Sequence, residues 1–406
     1  MTATVAPTLD PFATGYFDDP YPQYAVLRQE NPIHSIERGV TLFFAFDDVR
    51  RVLIDPRSTS MDRVRGLSAG GATRVQPPPT FPLSIINTDP PDHSRLRKLM
   101  SKSFTAKRVE TLVEWMDRRI DGLLDAMEAE QRETGQPVDL VGGLAFPFPF
   151  SVISEMLGMP DGDDEQVRNW AHEISAASDP VVPREHIVRA AATYRTMCDY
   201  MTTEVLPWKQ DHLGDDLLSH LLVAEREGGL SHDELLDNVA LLYVAGHETT
   251  SGLIGNGILN LLRHPAQLEQ LRADPGLLAN AVEELNRYEG SIQFAWRYVV
   301  EPLEVGDQVL EPGQMAFVCC GSANRDPEHF GDTADELDIT RSNAGDGLSF
   351  GAGMHYCLGA HLARREVMLV IAKLFERFPH VAQAGDVSWS RGMTFRQLTS
   401  FPVTLA

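Results

Sequence analysis

The chain has 406 residues, 43% of them hydrophobic, and its 35 Lys and Arg stand against 58 Asp and Glu, a formal net charge of −23. That acidity argues against a nucleic-acid binder, which needs positive charge to displace phosphate counterions, and against binding to an anionic membrane surface. The hydrophobic content is too high for disorder, and the length permits a core large enough to enclose a sizeable cofactor.

The stretch from Met1 to Phe17 is polar and acidic, and it lacks a basic patch followed by an apolar run, so no signal peptide is expected. No window approaches the roughly 18 apolar residues of a membrane span. Gly39 to Phe46 alternates and reads as a strand. Ser58 to Pro82, rich in Gly and Pro, is too long for a simple connector and is expected to be functional or mobile. Asp89-Pro90-Pro91-Asp92-His93 reads as a helix start, with Asp89 as cap and Pro90 at the first position. His93 and Arg97 then share one face and suit an anionic group. A plain solvated basic face, with Arg95 and Lys98, is the alternative. Helical periodicity follows over Lys107 to Glu128 and Arg184 to Val205.

Ser231-His232-Asp233-Glu234 is a capping box, and the helical pattern it opens runs to Leu262, before Pro265. At 1.5 Å per residue such a helix is roughly 48 Å long. Its centre, Val239 to Ala245, is apolar nearly all round and should be buried. Gly246, His247, Glu248, Thr249 and Thr250 follow at once, although a mid-helix glycine costs about 1 kcal/mol and a buried carboxylate must be satisfied. Leu242, Ala245, Gly246 and Thr249 form one stripe, mostly of small residues, that admits something flat or a second helix. The Thr249 hydroxyl is placed to bond the Ala245 carbonyl.

Helices are expected again over Pro265 to Arg272 and Leu277 to Tyr288, and Glu284 and Arg287 lie one turn apart on the second. Arg297 stands in an apolar stretch, where a cation requires an anionic partner. Arg297 to Val318 reads as strands with turns at Gly306-Asp307 and Pro312-Gly313. Four cysteines, Cys198, Cys319, Cys320 and Cys357, do not make a disulfide framework and fit a reducing compartment. Cys357 sits in Phe350-Gly351-Ala352-Gly353-Met354-His355-Tyr356-Cys357-Leu358-Gly359, a glycine loop feeding the helical pattern from Ala360 to Phe375. The helix N-terminus favours a thiolate there. An inert buried thiol, a zinc ligand and a nucleophile paired with His355 are the competing readings. The architecture expected is mainly α with a minor β portion.

Taken together, these motifs resemble the cytochrome P450 haem-thiolate monooxygenases, especially soluble bacterial members, from about Tyr21 onwards. The Cys357 loop matches the family signature, Ala245 to Thr250 its distal motif, Glu284 and Arg287 its Glu-x-x-Arg pair, and Ala323 to Pro327 another recurrent segment. The resemblance implies one domain over 1–406 with residues 1–20 flexible, and haem b buried between the long helix and the cysteine loop. Cys357 would be the iron ligand. His93, Arg97, Arg297 and His355 would hold the propionates, Glu284 and Arg287 would be a structural pair, and Glu248 and Thr249 would relay protons. Relatives carry an arginine near Glu336 that joins the Glu-Arg pair; here Arg341 or His329 would substitute.

The same resemblance implies insertion of one atom of O2 into a medium-sized organic substrate by hydroxylation or epoxidation, in secondary metabolism. Electrons would come from NAD(P)H through a separate ferredoxin and ferredoxin reductase. Lys98, Arg364 and Arg365 would offer a docking patch. By family position Ile86, Leu242, Ala245, Gln293, Phe294, Gln397 and Leu398 would line the pocket. A cytoplasmic monomer is expected. Oxidative coupling or desaturation by the same chemistry, and a non-catalytic haem sensor, are the alternatives.

Overall fold

The structure is a computed structural model and describes residues 6–36, 39–59, 82–160, 164–179 and 183–406. Of the expected Ser58–Pro82 segment, residues 60–81 lie outside that set. Helices dominate and small sheets supply the β portion, so the fold is mainly α, as expected. Two compact units are present, each discontinuous in sequence: Met1–Pro77, Arg263–Cys357 and Trp389–Arg396 in one, and Pro78–Leu262, Leu358–Ser388 and Gln397–Ala406 in the other.

The first unit holds a five-stranded sheet in the order Ile33–Ile36, Val40–Phe43, Met315–Cys319, Phe294–Val299, Ser58–Thr59. Val40–Phe43 pairs with Met315–Cys319 in parallel, and the other pairings are antiparallel. The strand expected to reach Phe46 stops at Phe43, because Phe46 opens the helix Phe46–Ile54. Asp47 and Asp48 favour that helix end, and the Phe46 N–H donates to Asp326 Oδ2 at 2.8 Å. Phe43, Val49, Val52, Val299, Val318 and Leu348 form part of its core. The strand zone near Arg297 resolves into Phe294–Val299, a hairpin of Leu303–Val305 with Gln308–Leu310, and Met315–Cys319. Its turns fall where expected, with Gly306 at φ 56° and Gly313 at φ 91°, a region glycine tolerates.

The described part of the N-terminal segment, expected to be flexible, is fastened to this unit. The Tyr16 and Tyr24 hydroxyls bond at 2.9 Å, and Arg396 donates to the Phe17 and Asp18 carbonyls at 2.9 Å. Glu289 neutralises Arg396 at 2.8 Å, which makes this buried cation tolerable.

In the second unit the helix Ala106–Thr134 lies against Ala360–Arg377. Lys373–Asp121 (2.9 Å), Arg377–Glu128 (2.6 Å) and Arg365–Glu110 (3.0 Å) rim the contact as solvent-screened pairs that add little stability. The helix expected from Pro90 begins at Asp92, with Pro91 at its cap, because a residue preceding proline is driven out of the helical region. Arg184–Tyr200 is helical and passes into a π turn at Met201–Val205.

The long helix runs from His232 to Arg263, 32 residues. Its capping box is formed: the Glu234 N–H donates to Ser231 Oγ at 3.1 Å, and the Ser231 N–H to Glu234 Oε2 at 2.8 Å. Arg95 also binds Glu234, so it is an interhelical tie and not part of a solvated basic face. The small-residue stripe divides in two. A Cβ on Gly246 would lie 2.6 Å from Ile153 Cδ1, so glycine there admits the helix Pro147–Leu157. Ala245, one residue before it, is exposed although the helix around it is buried. Among the described residues no helix is long and apolar enough to cross a membrane.

Candidate active site

In the second unit the exposed face at Ala245 is bordered by Glu248 and Thr249. Thr249 is half-buried, and its hydroxyl donates to the Ala245 carbonyl at 2.7 Å. The Glu248 side chain is 1% exposed, and protein donors engage both its oxygens. His172 Nδ1 lies 2.7 Å from Oε1, and Gln397 Nε2 donates to Oε2 at 2.6 Å. Burial works to raise the Glu248 carboxyl, but the His172 hydrogen bond, both neighbouring imidazoles and Gln397 outweigh it and hold it below its ordinary value. His247 has the opposite fate. It is enclosed edge-on by Phe146 (4.1 Å) and Phe150 (5.6 Å), and burial pushes it down to about 4, so it is neutral near pH 7. The costly carboxylate in a buried helix is thus satisfied by partners from outside its own helix.

His172 stands on the helix Asp164–Ala176, 76 residues from Glu248, and sequence reasoning missed it. Nothing local marks it, since a histidine on an amphipathic helix is ordinary. Gln397 was expected against substrate, and the structure gives its amide to Glu248. On the helix Asp92–Met100, His93 is buried and Arg97 half-buried, one turn apart.

The first unit carries the cysteine loop. The Cys357 N–H donates to the Phe350 carbonyl at 2.9 Å, and the Tyr356 N–H to that of Gly353 at 3.1 Å. Gly353 has φ 69°, and a Cβ there would lie 2.9 Å from the Leu53 carbonyl oxygen, so only glycine lets the loop close. Cys357 is half-buried. Burial keeps the other three cysteines as thiols, pushing Cys198 up to about 11, Cys320 up to about 12 and Cys319 well above its ordinary value. Among the described residues no group of three or more His, Cys, Asp or Glu gathers as a metal site, so zinc has no companion ligands to set beside Cys357. A single cysteine in a glycine loop would suit an iron whose remaining protein-independent ligands a macrocycle supplies.

The Glu284–Arg287 pair braces this loop. Arg287 Nε and Nη2 reach Glu284 at 2.6 and 2.7 Å, with both side chains wholly buried. Arg341 supplies the third member: its Nε donates to Glu284 Oε1 at 3.1 Å, while Glu336 contributes only its carbonyl. His329 turns instead to Asp346 at 3.1 Å. Arg287 Nη1 donates to the Asn324 carbonyl at 2.7 Å, and Asn324 Oδ1 accepts the Leu348 N–H at 2.7 Å, two residues before Phe350. The Ala323–Pro327 motif is therefore the joint between the ion pair and the cysteine loop. Arg287→Met should lower stability by about 3 kcal/mol, the low end of the cost of orphaning a buried charge, because Arg341 remains on Glu284. A denaturant midpoint with an unchanged slope checks this.

Arg297, on Phe294–Val299, is half-buried and donates to the Trp296 carbonyl at 2.8 Å; His355 is half-buried beside Cys357. Of the residues expected to line a pocket, Ile86 and Ala245 show surface. Gln293 and Phe294 do not. Gln293 is 2% exposed and donates to the Gly290 carbonyl at 2.8 Å, and Phe294 stacks on Phe317 at 4.7 Å. Leu242 and Leu398 are also buried.

A buried, satisfied acid beside a helix hydroxyl in one unit, and a single cysteine in a glycine loop in the other, are each features that a haem-thiolate oxidoreductase would require. The family profile for cytochrome P450 matches residues 76–395. Cytochrome P450 107B1 of Saccharopolyspora erythraea is 38% identical over 99% of both chains. Cytochrome P450 monooxygenase PikC of Streptomyces venezuelae is 38% identical over 99% of this chain and 95% of its own. The tirandamycin C-bound P450 monooxygenase TamI superposes with a TM-score of 0.83 at 32% identity, covering 98% of this chain and 99% of TamI.

The chain belongs to the cytochrome P450 family. It is a haem-thiolate monooxygenase of the bacterial kind, an oxidoreductase, and its family membership implies haem b and O2.

Proposed function

We propose that the protein hydroxylates or epoxidises a medium-sized, partly polar natural-product intermediate, with electrons from a separate ferredoxin and its reductase. The observation that carries this reading is Glu248, an acid held buried and hydrogen-bonded beside Thr249. Reductive O2 chemistry needs such a proton source, whereas a peroxide-driven enzyme, a sensor or an electron carrier does not. The relative TamI binds tirandamycin C, a precedent for the substrate class.

In this reading Cys357 Sγ ligates the haem iron, and His93, Arg97, Arg297 and His355 hold the propionates. The haem, when bound, supplies the redox chemistry that activates O2. Glu248, held as a carboxylate by its partners, takes up a proton and hands it on towards Thr249. The Thr249 hydroxyl has given its hydrogen to Ala245, so it presents lone pairs and orients a proton-bearing group as an acceptor. Ala245 keeps the helix face low enough for a substrate to approach. Ile86 borders the substrate, and Leu242 and Leu398 back that face. Lys98, which is exposed, and Arg364 would meet an acidic redox partner; Arg365 is shared with Glu110.

Titration of the ferric protein with macrolactones, steroids, terpenes, aromatic acids and cyclic peptides tests the substrate class. A saturable shift of the Soret band to shorter wavelength is expected with a polyfunctional natural product such as a macrolactone. A response to none of them would overturn binding of a free substrate of this class. Incubation of a responding compound with surrogate ferredoxin and reductase then separates hydroxylation or epoxidation from coupling or desaturation by product mass.

A further inference from the structure

The Glu248 carboxylate is buried, yet its Oε1 partner is not. The His172 side chain is 59% exposed while Glu248 is 1% exposed, and 2.7 Å separates Nδ1 from Oε1. His172 is thus the point at which a sealed acid meets solvent through one hydrogen bond. Gln397, on the other oxygen, holds the carboxylate in place but cannot titrate.

We propose that His172 is the positioning residue that holds Glu248 and passes it protons from bulk water, and so sets the pH dependence of proton delivery. This rests on the reading of Glu248 as proton source. The step is a single transfer: the Nδ1 proton moves along the hydrogen bond to Oε1, imidazolium becomes imidazole, and carboxylate becomes carboxylic acid. The exposed ring then regains a proton from water.

The surroundings hold the resting pair as imidazolium beside carboxylate, so the transfer runs uphill and is drawn forward only as Glu248 hands its proton on. The hydrogen bond to Glu248, and then its charge and that of Glu173, raise His172 above its ordinary value of 6.5 against the effect of burial. Glu173, on the same helix, is itself engaged by Arg189 and by Thr193 at 2.7 Å, so its pull on His172 is secondary. His247, from the long helix, lies 3.8 Å from Glu248 Oε1 and is neutral. Arg168, on the helix of His172, lies over the Phe146 ring at 5.6 Å, and Phe146 also packs edge-on against His172 at 5.9 Å. No other cation takes either Glu248 oxygen among the described residues.

The linkage has a defined sign. The raised imidazole keeps the pair charged up to above pH 6.5 and loses it as pH rises through the folded value. The lowered carboxylate loses it only as pH falls below the ordinary carboxylate range. Proton delivery should therefore decline on the alkaline side, as His172 empties.

Two measurements test this. In the ferrous carbon-monoxide form of the holoprotein, which is diamagnetic, NMR of labelled histidines should place His172 above 6.5, and Glu248→Gln should lower it. The His172→Gln spectrum identifies the signal. In the second, product formed per NAD(P)H and kcat are followed against pH. His172→Gln keeps a hydrogen-bond donor and should remove the alkaline limb. His172→Phe should lower kcat about 10-fold, a part of the 10²–10⁴ that positioned proton transfer supplies, with KM unchanged. A His172 value that ignores Glu248→Gln, or an alkaline limb that survives in His172→Gln, overturns the proposal. If Glu248→Gln itself leaves coupling intact, the reading of Glu248 falls, and this inference with it.

Discussion

Cys357→Ser abolishes the thiolate signature: the reduced carbon-monoxide complex is expected to lose its strongly red-shifted Soret band, and product formation to fall to background. The other cysteines cannot replace it. Burial keeps Cys198, Cys319 and Cys320 protonated, and Cys319 and Cys320 are wholly buried in the strand-to-helix corner at Ser322. An alkoxide-poor serine does not push electron density towards iron as a thiolate does. The loop itself should survive, because its closure rests on Gly353 against the Leu53 carbonyl and on the Cys357 N–H bonded to Phe350, neither of which involves sulfur. Haem content and the denaturation midpoint should thus change far less than the spectrum. Retention of the red-shifted band in the serine variant would remove Cys357 as ligand.

The second large effect falls on proton supply. Glu248→Gln is expected to slow product formation by about 10²-fold, the lower end of general acid contributions, while NAD(P)H is still oxidised and its electrons are lost to O2 as peroxide or water. Thr249→Ala should cut the product per NAD(P)H several-fold with a smaller loss in NAD(P)H consumption. The two differ because Glu248 supplies the proton and Thr249 directs it. Glutamine keeps the size of Glu248 and can still bond His172 and Gln397, so the variant should fold. Unchanged product per NAD(P)H in both variants would leave the buried acid without a catalytic role and would reopen the peroxide-driven reading.

The pair Glu284–Arg287 shows why spacing alone undervalues some motifs. At helical spacing an exposed pair is worth about 0.2–0.5 kcal/mol. Here both partners are wholly buried, and three carbonyls and Arg341 complete the network. Its worth lies in fixing Asn324, and through it the approach to Phe350 and Cys357. Arg341 took the place in doubt at Glu336 because a guanidinium can reach from a neighbouring turn to the same carboxylate oxygen, a contact in space that no local spacing encodes.

Local rules were enough wherever the cause of a structure lies within a few residues. The capping box at Ser231, the long apolar helix, the turns at Gly306 and Gly313 and the glycine loop before Cys357 were all legible, since caps, periodicity and left-handed glycines act at short range. The Thr249 bond to Ala245 was legible for the same reason. Boundaries set by competition were not: Phe46 left its strand because Asp326, distant in sequence, accepts its N–H, and the helix near Pro90 lost its first two residues to the second proline. Side-chain destinations were the least legible. Gln293, Phe294 and Gln397 carry the right chemistry for a pocket, but where each points depends on Gly290, Phe317 and Glu248. The sequence determined that a carboxylate would be buried in the long helix and would need partners. Only the tertiary structure decided that the partners are His172 and Gln397, because a buried charge is satisfied by whatever the packing brings within hydrogen-bond reach.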